Sequence, residues 1–207
     1  MKSYESIGHD ILSGHCYCFD KLDGSNVRAE WNPKKGFHKF GTRTQLIDEN
    51  SDPRFTPAIP LMKEQEDVIG RILKDTFRAE EATCFFEFYG PNSFAGVHKE
   101  TDPKKTTLID VSIYKKGLIN PGEFIKEFLE KGIETASLLH TGNLTELFIE
   151  SVRDGSLKGM TFEGVVAKQN RAKTHHPPKM TKIKSREWIK RVKELYQNDP
   201  KLLKELL

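Results

Sequence analysis

The run from residue 14 to residue 31 constrains the fold most, because aromatic and small apolar residues alternate with other residues on both sides of one polar break. Period-two alternation of this kind predicts two half-buried β-strands, at residues 14–20 and 25–31, joined as a hairpin with Gly24 supplying the turn. Lys21 stands where the first strand ends. A single lysine beside a turn is ordinarily a solvated side chain, so its meaning depends on what the rest of the chain brings near it.

The remaining pattern extends the same theme. Asn32-Pro33-Lys34-Lys35-Gly36 predicts a turn into a strand at residues 37–40, which ends at Gly41-Thr42-Arg43-Thr44. Leu61, Val68, Ile69, Ile72, Leu73 and Phe77 recur at helical spacing and predict a helix over residues 60–81. Residues 83–89 form the clearest strand, with Cys84, Phe86 and Phe88 on one side and Phe85, Glu87 and Tyr89 on the other. That strand fixes a carboxylate, Glu87, among aromatic rings. Another strand is expected at residues 108–114. Asn120-Pro121-Gly122-Glu123 has the signature of a helix start, and Asn143 with Glu146 repeats it. A strand over residues 161–168 is expected to place Glu163 and Val165 on one face. A strand over residues 181–184 is expected to turn Lys182 and Lys184 to one side and Ile183 to the other. Two helices, at residues 186–197 and 199–207, follow.

Composition narrows the class. The chain has 207 residues, a net charge of +3 and three cysteines, enough for one sizeable core but too few and too oddly numbered for a disulfide framework. No leader-like segment opens the sequence, and no apolar run approaches the roughly 20 residues of a membrane span. A cytoplasmic protein with no membrane association is expected. Cys16 and Cys18, and separately His175 and His176, are conceivable metal ligands, but neither pair has partners nearby in sequence to complete a set. Between Lys168 and Lys193 ten basic residues face a single acid, Glu187, leaving 23 basic and 29 acidic residues elsewhere. A basic run is usually a solvated face; it points to a phosphate-rich partner when it also carries lysines with chemistry to perform.

Lysines and carboxylates in this combination suit covalent phosphorus chemistry. Fewer than about one in a thousand free lysine amines is unprotonated at pH 7. Cationic neighbours such as Lys182 and Lys184 are expected to disfavour the ammonium form of Lys21 and so create a nucleophile. The same positive groups would neutralise the oxygens of a phosphate under attack, with pyrophosphate leaving in line.

Five blocks occur in a fixed order: Lys21-Leu-Asp-Gly-Ser-Asn26, Phe85-Phe-Glu87-Phe, Ile109-Asp110-Val-Ser-Ile, Glu163-Gly-Val-Val and Lys182-Ile-Lys184. They resemble nucleotidyltransferase motifs I, III, IIIa, IV and V of the covalent polynucleotide ligase and mRNA-capping superfamily. Asn26 sits where DNA ligases and capping enzymes usually carry arginine. It agrees instead with RNA ligases of the phage RNA ligase 2 and RNA-editing type, as does Arg43 in the segment after motif I. The resemblance implies an α+β fold of the nucleotidyltransferase, ATP-grasp-like ligase kind: two antiparallel β-sheets with flanking helices and a nucleotide cleft between them.

The resemblance also implies roles. Lys21 would attack the α-phosphorus of ATP and carry AMP, and Lys182 and Lys184 would hold the α-phosphate. Asn26 would lie by that phosphate, Arg43 would help place it or an incoming 5′ end, and Glu87 would accept from ribose hydroxyls. Glu163 would orient Mg²⁺ or Mn²⁺, and Asp20 would contact adenine. Ile109 stands where relatives bring an aromatic ring against the purine. The implied activity is RNA repair: AMP passes from lysine to a 5′-phosphate, and a 3′-hydroxyl displaces it to seal the strand. Residues 1–185 would form the nucleotidyltransferase domain and residues 186–207 a short helical extension with no OB-fold. A partner protein could then supply the missing C-terminal domain to an otherwise monomeric enzyme. The basic segment is expected to bind the strand with strong salt dependence. Other assignments consistent with the same residues are a minimal ATP-dependent DNA ligase and a non-catalytic nucleic-acid-binding module.

Overall fold

The computed structural model describes residues 1–91, 93–172 and 176–207. Among the described residues ten strands form two antiparallel sheets. The first sheet holds β1 (His15–Lys21), β8 (Leu138–Asn143), β9 (Gly164–Lys168) and β10 (Met180–Lys184) in the order β10-β9-β1-β8. The second holds β2 (Ser25–Asn32), β3 (Gly36–Thr42), β4 (Leu46–Ile47), β5 (Ala82–Tyr89), β6 (Lys105–Ile113) and β7 (Gly117–Leu118) in the order β4-β3-β2-β5-β6-β7. The architecture is α+β with two antiparallel sheets, as expected.

The predicted hairpin around Lys21 is absent. β1 pairs with β8 and β9, whereas β2 pairs with β3 and β5, so the chain crosses from one sheet to the other immediately after Lys21. Gly24 is needed here for clearance, since a Cβ would lie 2.5 Å from the Phe88 carbonyl oxygen. Alternation specified both strands correctly, but it carries no information about which strands pair. The inter-sheet crossing places the end of β1 at the boundary of the two layers, which is where a cleft can open.

Each sheet buries its own face. Val27, Ala29, Trp31, Cys84, Phe86 and Val111 of the second sheet pack on α1 (Ala58–Glu64), α2 (Glu66–Asp75) and α3 (Pro121–Phe124), which continues as a π-helical turn, Ile125–Leu129. The single helix expected over residues 60–81 is therefore two helices, broken at Gln65, whose side-chain amide donates to the Thr106 carbonyl at 2.8 Å. Val68, expected in the buried stripe, is exposed. In the first sheet Cys16, Cys18, Val165, Ala167 and Ile183 pack on α4 (Glu146–Arg153).

Two local expectations change and one holds. The cap of α4 is Thr145, whose hydroxyl accepts from the Phe148 N–H, because Asn143 is still in β8. At α3 the Glu123 carboxylate does accept from the Asn120 N–H, at 3.2 Å. Glu163 and Val165 do not share a face. Gly164 has φ +143°, so β9 starts after a bend that sends Glu163 to the cleft while Val165 enters the core beside α4. The chain then runs into α5 (Arg186–Leu195) and α6 (Pro200–Leu206).

Cys16, Cys18 and Cys84 are buried free thiols. Among the described residues no group of three histidines, cysteines or carboxylates could hold a metal, and no helix is long and apolar enough to cross a membrane. The His175/His176 pair lies in part outside the described residues.

Candidate active site

The two sheets meet around a cleft of about 470 Å³. All nine residues singled out in the sequence border it: Asp20, Lys21, Asn26, Arg43, Glu87, Ile109, Glu163, Lys182 and Lys184. Strand register explains the convergence. Lys21 on β1 and Lys184 on β10 both stand opposite Gly164 of β9, so the two lysines flank a residue with no side chain. A Cβ at Gly164 would lie 2.0 Å from the Ile183 carbonyl oxygen. The carboxylate of the preceding residue fills the space between the lysines: Glu163 Oε1 is 2.9 Å from Lys21 Nζ and 3.1 Å from Lys184 Nζ. On the opposite wall Asn26 of β2 and Glu87 of β5 are directly paired across their strands, so both side chains project from one face of the second sheet.

Electrostatics in the cleft differ from the sequence-based expectation. Cationic neighbours were expected to depress the Lys21 amine, but its pKa is raised. Burial works against the ammonium form, yet the charges of Glu163 and Glu87 together with the Glu163 hydrogen bond outweigh it. The depressed amines are the other two. Burial, with Lys21 nearby, lowers Lys182, and burial lowers Lys184 to about 8 despite the opposing attraction of Glu163. Glu87 is pushed up to about 8 by desolvation, with Lys21 pulling the other way. Asp20 is also raised by burial; one of its carboxylate oxygens accepts from the Thr161 N–H at 3.0 Å.

Several cleft residues carried no signal that alternation could isolate. Lys168 lay within the basic run, but it is buried. Its ammonium donates to Asp110 Oδ2 and to the Ile109 carbonyl, both at 2.8 Å, and Asp110 also accepts from the Tyr4 hydroxyl at 2.7 Å. This group ties β9 of one sheet to β6 of the other. Lys184 is buried too, whereas Lys179, Arg186, Lys190, Arg191 and Lys193 are exposed, so the basic run divides between the cleft and the surface. Trp188 and Leu206 reach the cleft from α5 and α6, and the Leu206 carbonyl accepts from Lys184 Nζ. Ile109 borders the cleft, as do the aromatic rings of Phe55 and Phe94. A smaller cleft of about 210 Å³ adjoins through Gly24, Ser25, Phe55 and Phe94, lined also by Arg54 and Lys104.

The residues present suit a hard divalent cation. Glu163 offers a carboxylate, and Asn26 Oδ1 is a buried oxygen with no hydrogen-bond partner among the described residues. A small set of oxygen donors matches a Mg²⁺-like ion that keeps several waters and leans on substrate phosphates.

The topology is the α+β fold of known RNA ligase structures. A Naegleria gruberi RNA ligase with PPi is similar over 88% of this chain and 52% of its own, with TM-score 0.64 and 17% identity. A variant of that ligase with ATP and Mn matches over 93% and 63% of the two chains (TM-score 0.62, 14% identity), and another with AMP and Mn over 85% and 51% (TM-score 0.59, 15% identity). The present chain thus spans about half to under two thirds of the length of these structures. No family model matches the sequence, and no curated protein does.

Proposed function

We propose that this chain is an ATP-dependent RNA ligase of the phage RNA ligase 2 and RNA-editing type, with residues 1–185 as its nucleotidyltransferase domain and residues 186–207 as a helical extension. The observation that carries the proposal is the meeting of Lys21 and Lys184 on one oxygen of Glu163 inside a cleft between two sheets. Three segments distant in sequence supply that cluster. A surface salt bridge would not need them to converge in a buried cleft.

In the proposed reaction the triphosphate of ATP enters between Lys182, Lys184 and Arg43, whose charges offset its own. Lys21 gives its proton to water in the cleft, and the nitrogen lone pair so freed attacks the α-phosphorus. A P–N bond forms as the bond to the pyrophosphate oxygen breaks, and pyrophosphate takes the displaced electron pair. Glu163, with Asn26 alongside, would hold Mg²⁺ or Mn²⁺, which would supply Lewis-acid neutralisation of phosphate oxygens. Glu87 faces the ribose hydroxyls, and the apolar wall around Ile109 and Phe55 excludes water from the base. A 5′-phosphate oxygen then displaces Lys21 from the adenylyl group, and a 3′-hydroxyl displaces AMP to close the strand. The adjoining cleft with Arg54 and Lys104 suits the incoming 5′ end.

The raised Lys21 amine gives Glu163 two tasks. Before nucleotide arrives it holds Lys21 protonated, and its carboxylate would also serve as an oxygen ligand to a bound divalent cation. Mass spectrometry after incubation with ATP and Mn²⁺ tests the reading. We expect one added AMP, absent in Lys21→Ala, with sealing of nicks that carry RNA on the 3′-hydroxyl side. Transfer from GTP alone, or no adduct with either metal, would remove it; sealing confined to all-DNA nicks would favour a DNA ligase.

A further inference from the structure

Trp188 is 1% exposed and would pass for an ordinary core residue, since it packs with Ala95 and Val192. Its polar atom and its ring face are nevertheless committed elsewhere. The indole Nε1–H donates to Asp23 Oδ1 at 3.0 Å, and Asp23 lies two residues after Lys21 in the crossing between the sheets. Asp23 is held from the other side by the Ala95 N–H on Oδ2, at 2.8 Å. The Trp188 ring lies beneath Lys184, with the ammonium 4.0 Å from its centroid. One side chain therefore touches the segment that carries Lys21 and the lysine that shares Glu163 with it.

Local sequence makes this possible. Ser185 follows Lys184 directly and caps α5, its hydroxyl accepting from the Trp188 N–H at 3.1 Å. The cap fixes Trp188 in the first turn, directly beside the end of β10. A buried ammonium loses its hydration, and an aromatic face replaces part of it.

We infer that Trp188 is a positioning residue for adenylyl transfer, clamping the Lys21 loop through Asp23 while seating the Lys184 ammonium on its ring, so that the two lysines stay in register on Glu163. The inference rests on the proposed ligase function, and it concerns how the site is held rather than which substrate it takes. The charged groups that bear on Lys184 are Glu163, Lys21, Lys182 and His9; Trp188 adds a contact with no charge of its own.

Three variants separate the two contacts. Trp188→Phe keeps a ring face and loses the N–H, Trp188→Leu loses both, and Asp23→Ala removes the acceptor. Trp188→Phe should lower the turnover of Lys21 adenylylation by between about 10- and 100-fold with little change in KM for ATP. Combined with Asp23→Ala it should fall no further than the worse single variant. Trp188→Leu should lower turnover further than Trp188→Phe, because the Lys184 ammonium loses its aromatic seat as well. Additive effects of Trp188→Phe and Asp23→Ala, or equal turnover for Trp188→Phe and Trp188→Leu, would overturn the inference. If Trp188→Leu does not fold, Trp188→Tyr, which keeps a ring and lacks the indole donor, repeats the Phe arm.

An independent measurement needs no activity. The indole N–H resonance of Trp188, assigned by its loss in Trp188→Phe, should shift in both Lys184→Met and Asp23→Ala. A resonance unmoved by either substitution sinks the positioning role even if the protein takes up AMP. A resonance that responds to both, in a protein that never takes up AMP, removes the ligase reading and leaves the clamp.

Discussion

At the scale of single residues, the cleft separates amines and carboxylates by environment rather than by type. Lys21 is held protonated above the ordinary lysine range by Glu163 and Glu87. The kcat/KM for adenylylation, which reports ionisations of the free protein, should therefore rise with pH through 7 and level off only at about 8, where Lys184 loses its proton; a plateau already reached at pH 7 would show that Lys21 is a free amine. Desolvation pushes Glu87 in the folded chain up to about 8, far above the ordinary carboxylate range. The folded state then binds the extra proton between about pH 4.5 and 8, so this group's contribution to stability falls as pH rises through that window. Glu87→Gln removes the ionisation, and its melting temperature relative to the unsubstituted protein should increase from pH 5 to pH 8. A difference that stays flat across that range would mean Glu87 is ionised and solvated. Neither shift was legible in the sequence. Residue types and spacing identified which groups converge, but the balance between burial and opposing charge depends on distances that only the folded chain sets.

At the scale of elements, strand existence was readable and strand partnership was not. Alternation at residues 14–20 and 25–31 marked β1 and β2, yet a two-residue period says nothing about which neighbour a strand takes. The polar turn between them looked the same as a hairpin loop. β8 escaped notice because Leu138-Leu139-His140-Thr141-Gly142-Asn143 is only half-buried and lacks a clean alternation. The lysines of β10 were legible because β-structure on both sides of Ile183 forces them to one face. Glu163 borders the cleft for a geometric reason other than the one expected, since Gly164 breaks the alternation that was counted on. That bend is testable. Gly164→Ala adds a Cβ against the Ile183 carbonyl at a φ of +143°, and should cost about 3 kcal/mol or more in urea unfolding. It should also shift the β9–β10 pairing and weaken adenylylation. A stability loss under about 1 kcal/mol would show that the backbone relaxes there easily.

At the scale of the whole molecule, the two sheets are joined across the cleft floor by the Lys168–Asp110–Tyr4 group. Lys168→Met leaves Asp110 buried without its ammonium and should destabilise by roughly 3–5 kcal/mol. Adding Asp110→Leu should recover most of that loss while leaving ATP affinity reduced, because an apolar pair restores packing without restoring the tie between sheets. Recovery of both stability and affinity would mean that the ion pair does not set the width of the cleft. The unliganded molecule also keeps an anion of its own between Lys21 and Lys184. Small inorganic anions must therefore compete with a tethered counter-ion for those ammonium groups and should gain little by doing so. A ligand that gives the carboxylate a new partner as well as the ammonium groups a new charge meets a different balance. Discrimination against free phosphate would then begin at the moment of entry, before any base is read.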